Sequence, residues 1–342
     1  MIRRASGADI GTQQEAWDAF WQNDARTREQ RPTGAKGGGG CLPQAWQGID
    51  KVQRAIWGRF AEKLPRGARV LDAATGDGRV MEALLAKRRD LKPVGVDLAK
   101  VLPAAPRGTK LRGGVAMEDL PFGEASFAAI TSQFGFEYSD IASSAAEFAR
   151  VLKRGGSVGL ICHRPDGPIV AHNAKRRDAI LWALEEKDLI SAARKAALMR
   201  PAQGLAGGMP MVGAPVLGSG LGRAAPAALP QEIAAAPAQG AALFGQHSAA
   251  WEMAEAIRQT LILGQRAPAA QVVQALDDIA AQARNELGRI ASLEAAASTA
   301  GDGAPVIAAM RDAGFEETHS ELLAEGTGKS PFATFLGFRL PA

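Results

Sequence analysis

The sequence has little cysteine: two residues in 342, Cys41 and Cys162. Such a pair supports neither a disulfide framework nor the clustered thiolates of a zinc site. It has a single tyrosine, Tyr138. No ladder of aromatics alternates with basic residues, so a stacking surface for nucleic acid is missing. Lysine and arginine (40) barely exceed the acids (36), for a net charge of +4. The two KRR clusters, at 87–89 and 175–177, read as solvated helix faces. No apolar run is long enough to cross a bilayer. Residues 1–4 are basic, but no apolar segment follows, so no secretory signal is expected. The expectation is a cytoplasmic protein with no metal, no nucleic-acid partner and no membrane span.

What is present is a pattern of alternation. Trp17, Phe20 and Trp21 fall at i, i+3, i+4 and predict a short helix. Residues 33–40, TGAKGGGG, read as a connector. Trp46, Ile49, Gln53, Ile56, Trp57 and Phe60 stripe a second helix, ended by LPRG at 64–67. Strands are then predicted at RVLDA (69–73), PVGVDL (93–98), SFAAITSQF (126–134) and SVGLICH (157–163), with helices over 79–87 and 144–156. Strands alternating with helices imply an α/β fold with a parallel sheet covered on both faces. After residue 164 the alternation stops. Helices are predicted over 173–200, 251–263 and 268–297, with an irregular Ala/Gly/Pro stretch at 201–240. A helix ending at Gly314 and a hairpin of 316–323 and 332–340 close the chain. The expected organisation is N-terminal helices and connector (1–64), an α/β core (65–164), a helical insertion (165–301), and a helix with hairpin completing the core (302–342).

The stretch VLDAATGDGRV, residues 70–80, ends a buried strand on an acid and follows it with small residues. Gly76 and Gly78 permit close approach of a ligand to the backbone. The following helix offers open N–H groups, at the sheet end where α/β folds bind ligands. A second acid, Asp97, ends the next strand, placed for the two hydroxyls of a ribose. A dinucleotide prefers G-x-G-x-x-G, but residues 74–80 read ATGDGRV and set Asp77 where a pyrophosphate would lie. A phosphate-free cationic nucleoside avoids that conflict. S-adenosylmethionine is such a ligand. GTGKS, at 326–330, is not a phosphate loop: Leu323 stands where its first glycine belongs, and it joins two strands.

Four blocks, VLDAATGDG, VGVDLA, AMEDLPFGEASFAAI and VLKRGGSVGL, resemble in order and spacing those of class I S-adenosylmethionine-dependent methyltransferases. The likeness is to the type 11 group that includes ubiquinone and menaquinone biosynthesis enzymes. It covers roughly 61–163, and residues 304–340 agree with that fold's closing elements. The resemblance implies a Rossmann-like, doubly wound, seven-stranded sheet, mostly parallel with an antiparallel C-terminal hairpin. The helical insertion then follows the fifth strand. By the same resemblance, Asp72, Ala74, Thr75, Gly76 and Gly78 hold the methionine part, and Asp97 takes the ribose. Leu98 packs on the adenine, and Met117 and Glu118 border its edge. Gln133 and Phe134 lie near the sulfonium and the acceptor. Ala116 stands where the family often has aspartate, which leaves the adenine amino group without that partner.

Methyl transfer is an in-line displacement that needs alignment and exclusion of water, and a base only for a proton-bearing acceptor. SQFGFEYSD, at 132–140, lacks the Asn/Asp-Pro-Pro-aromatic block of enzymes that methylate base amino groups. His163 is a candidate base, and equally a histidine hydrogen-bonded at a strand corner. Tyr138 is a candidate for the acceptor site, and equally a half-buried aromatic at a helix start. Glu137 reads as a rim or capping acid. His172 reads as a solvated helix start, and Cys162 as a small strand residue. The expected reaction methylates a small molecule at O, N or C, with S-adenosylhomocysteine as product. Two alternatives stay open: a peptide or protein acceptor, and a non-catalytic binding or scaffold protein. A nicotinamide reductase is disfavoured by Asp77 and a missing Tyr-x-x-x-Lys pair. The insertion is expected to cap the pocket, with the loop at 204–222 as a wall, and it offers a surface for a homodimer.

Overall fold

The computed structural model describes residues 47–199 and 229–342, together with Glu15, Trp17, Asp18, Phe20 and Trp21. The connector at 33–40, Cys41 and the loop at 204–222 lie outside them. The chain divides into two units, one of 1–173 with 288–342 and one of 174–287.

The first unit is built on a seven-stranded sheet of order β3-β2-β1-β4-β5-β7-β6. Its strands are β1 (Arg69–Ala73), β2 (Lys92–Val96), β3 (Lys110–Arg112), β4 (Phe127–Gln133), β5 (Leu152–His163), β6 (Glu316–Leu323) and β7 (Ala333–Arg339). β1 to β5 pair in parallel, and β7 runs antiparallel between β5 and β6. This is the doubly wound α/β sheet with an antiparallel C-terminal hairpin that the blocks imply. Side chains alternate across it because the strand period is two. Val70 and Ile161 face one core with Ile56, Trp57 and Phe60 of α1 (Gln47–Glu62) and Val80 and Leu84 of α2 (Arg79–Lys87). Leu71, Leu160 and Cys162 face the other, with Phe148 of α3 (Ile141–Val151) and Val306 and Met310 of α9 (Ala304–Asp312).

Two boundaries depart from the sequence reading. α3 starts at Ile141, because the Asp140 carboxylate accepts the Ser143 N–H at 2.9 Å as an N-cap. It ends at Val151, not at the glycines. Leu152 already pairs with Phe127, and residues 153–156 bulge out before Ser157 rejoins Ala129. Gly155, at φ +75°, turns that bulge, and its N–H reaches the Leu340 carbonyl at 2.8 Å. β3, three residues long, carries no alternation that a sequence pattern registers.

The second unit is helical. The chain enters it within α4 (Pro168–Leu181), which runs into a π-helical turn at Trp182–Glu186. It continues through α5 (Leu189–Leu198), α6 (Gln231–Phe244) and α7 (Ala249–Leu263), and leaves within α8 (Ala269–Ala300). The single helix expected over 173–200 breaks at Asp188, which sits in the left-handed region at φ +44°. The irregular reading of 201–240 is also corrected at its end, since α6 carries Pro237 inside a helix. Its alanines favour helix, and Gly240 lets it close onto α7, where an added Cβ would meet Ala250 at 3.1 Å. Arg176 bridges Glu286 at 2.7 Å and Glu252 at 3.5 Å within this unit. Among the described residues no helix is long and apolar enough to cross a membrane.

Phe148 is fully buried under the sheet and stacks near Phe136 with ring centres 5.4 Å apart. Phe148→Ala is expected to cost about 3–5 kcal/mol, read as a fall in the urea midpoint.

Candidate functional site at the strand tips

Asp72 is fully buried at the end of β1. One carboxylate oxygen accepts the Thr75 hydroxyl at 2.7 Å and the other the Thr131 hydroxyl at 2.9 Å. Burial pushes this carboxyl up to about 7, and the nearby charges of Asp97 and Asp77 add to the rise against the two threonine bonds. Both Asp72 oxygens are thus engaged in fixing the turn. Thr131, one strand over, is a residue the sequence reading missed; its signal was a hydroxyl in an otherwise apolar strand.

The turn itself is built from left-handed backbone. Ala74, Gly76 and Gly78 sit at φ +56°, +53° and +76°. The Thr75 N–H reaches the Val96 carbonyl at 2.9 Å, which ties the turn to β2. Asp97 lies at the tip of β2 and accepts the Gly76 and Ala99 N–H groups at 2.8 and 2.9 Å. Burial raises its carboxyl, and those two backbone bonds oppose the rise. Asp77 points elsewhere. Arg79 clasps it at 2.8 Å, so Asp72 and Asp97, more than Asp77, make this end of the sheet hostile to a diphosphate.

The chain itself covers part of this turn. An added Cβ on Gly76 would meet the Trp21 indole at 2.7 Å, and the ring is buried. Asp18, one helical turn earlier, accepts the Lys100 N–H at 2.6 Å. A nucleoside lying on Gly76 must share that space with the indole or displace it. Trp21 was read in the sequence as a helix stripe and nothing more.

Of the other expected contacts, Met117 buries its side chain in the core with Val115 and Leu120. Glu118 turns to the Asp140 N–H at 2.8 Å. Leu98, next to Asp97, is half-buried. Gln133 accepts the Trp57 indole N–H at 2.7 Å and passes an N–H to Gln53 at 3.4 Å. Beyond it the chain turns sharply: Phe134 takes φ +56°, and Gly135 presses on Ala74, where an added Cβ would come within 2.2 Å of the alanine Cβ.

Phe134 stacks on His163 with ring centres 4.0 Å apart. Tyr138 meets the same imidazole edge-on at 6.0 Å and Trp17 at 6.1 Å. Glu137, read from the sequence as a rim acid, is instead buried and lies 2.8 Å from His163 Nδ1. Three buried polar atoms around this tip, Gln53 Nε2, Ser132 Oγ and Glu137 Oε2, have no hydrogen-bond partner among the described residues. Unpaired buried groups of this kind are costly. Among the described residues, no group of three or more His, Cys, Asp or Glu is arranged for a metal ion.

Residues 71–160 match the family model of a methyltransferase domain. The matched segment is about a quarter of the chain. It holds the end of β1, β2, β3, β4, most of β5 and the two acids described above. No curated protein matches the chain. Solved structures similar to it include YcgJ from Bacillus subtilis, at 24% identity over 37% of this chain and 58% of that one, TM-score 0.31. Another is geranyl diphosphate C-methyltransferase from Streptomyces coelicolor, solved with Mg2+, geranyl diphosphate and S-adenosyl-L-homocysteine, at 20% identity over 43% and 66%, TM-score 0.30. The cyclase SpnF matches at 18% identity over 43% and 58%, TM-score 0.33. The chain thus spans 58% to 66% of the length of these neighbours.

Two outcomes follow from the geometry. Gly135→Ala forces a methyl into the Ala74 side chain and is expected to cost about 1–3 kcal/mol, read by urea unfolding. For Asp72, the folded carboxyl titrates above its unfolded value of about 4. Its stabilising contribution is complete below that value and is lost as pH rises through about 7. Asp72→Asn is expected to flatten stability between pH 4 and 8; a wild-type slope in the variant places that titration elsewhere.

Proposed function

We propose that the chain is an S-adenosylmethionine-dependent methyltransferase acting on a small-molecule acceptor. The observation that carries this reading is the pair of acids at the tips of β1 and β2, Asp72 buried and Asp97 half-buried, joined through a left-handed turn inside the segment that matches a methyltransferase domain. The donor set suits the ligand. Asp97, held in place by the Gly76 and Ala99 N–H groups, offers its carboxylate to a ribose diol, and the field of Asp72 and Asp97 favours a ligand with an ammonium and a sulfonium. When bound, S-adenosylmethionine supplies an electrophilic methyl group. The chain's part is to hold the nucleoside on the β1–β2 tips and to line up an acceptor beyond Gln133 and Phe134 at the tip of β4. The apolar and aromatic groups there, Phe134, Tyr138 and Trp17, suit a small, largely apolar acceptor better than a polyanion.

Isothermal calorimetry tests the reading. S-adenosylmethionine and S-adenosylhomocysteine are expected to bind, and NAD is expected not to. Asp97→Ala is expected to weaken both by about tenfold or more, since it removes a charge-assisted acceptor. Below pH 7, binding of the cationic ligand is expected to release protons from Asp72, seen as a dependence of the heat on buffer ionisation. Binding of NAD in preference, or no binding of either sulfur ligand, overturns the reading.

A further inference from the structure

We propose that His163 is the general base of the transfer and Glu137 its positioning residue, which makes the acceptor an oxygen or nitrogen acid. This rests on the cofactor reading above. His163 closes β5, beside the tip of β4 and two strand spacings, about 10 Å, from the tip of β1. The Glu137 side chain is fully buried, at 0% exposed, and that of His163 is 8% exposed. One Glu137 oxygen accepts the His163 backbone N–H at 2.9 Å and lies 2.8 Å from Nδ1. A carboxylate in that place holds the ring proton on Nδ1 and leaves the lone pair on Nε2. Among the described residues nothing hydrogen-bonds Nε2.

A histidine that merely braced a strand corner would not require this surrounding. Among the described residues, Glu137 has only His163 and the weakly donating Cys162 thiol as side-chain partners, so its charge is directed at the imidazole. Phe134 holds the left-handed conformation, a strain of about 1–3 kcal/mol, and its ring lies flat on the imidazole. Together they fix both the tautomer and the plane of the ring. The titratable groups around it are Glu137, Tyr138 on the same turn, and Cys162 on β5. The neighbouring residues of β7, Ala333 and Thr334, carry none. Burial and the Glu137 charge push the Cys162 thiol well up, so it stays protonated.

The step balances as follows. The acceptor atom's lone pair bonds to the methyl carbon, the carbon–sulfur bond breaks, and its electron pair stays on sulfur as a thioether. The acceptor's proton passes to His163 Nε2. The imidazolium is compensated by Glu137 until water takes the proton. A tertiary amine or a thioether has no proton to give and has no use for this pair.

The test uses the full-length chain, 15N-labelled at histidine and loaded with S-adenosylhomocysteine. His163 is expected to show a protonated Nδ1 and a bare Nε2, and Glu137→Gln is expected to loosen that tautomer preference, seen as a change in the two ring-nitrogen shifts. A proton resident on Nε2, or a spectrum indifferent to Glu137→Gln, overturns the proposal whether or not any acceptor turns over. Release of S-adenosylhomocysteine is then followed with phenol, a primary amine, a tertiary amine and a thioether. Turnover of either proton-bearing acceptor is expected. His163→Asn should lower kcat by about 10²–10⁴ with KM little changed. Glu137→Asp should restore part of the activity lost in Glu137→Gln. Turnover confined to the tertiary amine or thioether overturns it. Calorimetry on the same variants separates the two readings. Loss of S-adenosylmethionine binding in the wild type sinks the cofactor, whereas intact binding with a protonated Nε2 sinks the base alone.

Discussion

Burial of a carboxylate at the end of β1 is the constraint on which the rest of the site depends. An acid in that position is unfavourable unless its oxygens are bonded, and the structure bonds both with threonine hydroxyls. One hydroxyl comes from the turn that follows and the other from the adjacent strand. The same pair of bonds thus sets the direction in which the chain leaves β1 and locks β1 to β4 at their tips. Because Thr75 also bonds back to Val96, the tip of β2, with Asp97, is drawn into the same unit. Three strand ends are held by the need to satisfy one buried charge.

The close approach of two loops follows from that arrangement. Ala74 leaves β1 with left-handed backbone, and Gly135 leaves β4 against it with no room for a side chain. The chain after β4 cannot turn toward β1, so Phe134 adopts a strained conformation and its ring goes the other way, onto His163 of β5. Strain of this sort persists where surrounding contacts over-determine it, and it is common at functional sites. The tips of β1, β4 and β5 are mechanically linked through Ala74, Gly135 and Phe134.

Much of this was legible in the sequence. The order of strands and helices in the α/β core, the opening of α2 at Arg79 and the C-terminal hairpin follow from periodicity, glycine placement and the four methyltransferase-like blocks. What escaped were features that depend on neighbours distant in sequence. Thr131 reads as a strand residue until Asp72 is set beside it, 59 positions away. Glu137 reads as a rim acid because the residue that claims it, His163, comes 26 positions later. Trp21 belongs to an evident helical stripe, but no periodicity says that the stripe lies on Gly76. The misplaced end of α3 has a local cause. Glycines at 155 and 156 look like a helix stop, and the structure uses them for a bulge within β5.

The charge pattern along the strand tips divides the work. At β1 and β2 burial raises both carboxyls, and the Asp97 charge raises Asp72 further, so this end holds negative potential that a cation relieves. At β4 and β5 the single buried carboxylate is spent on a histidine and walled by aromatic rings, so the potential there is low and the surface apolar. A sulfonium lying between these ends meets favourable potential on its nucleoside side and little on its methyl side. On the proposal above, the positive charge that leaves sulfur would reappear on the imidazole, where Glu137 already stands.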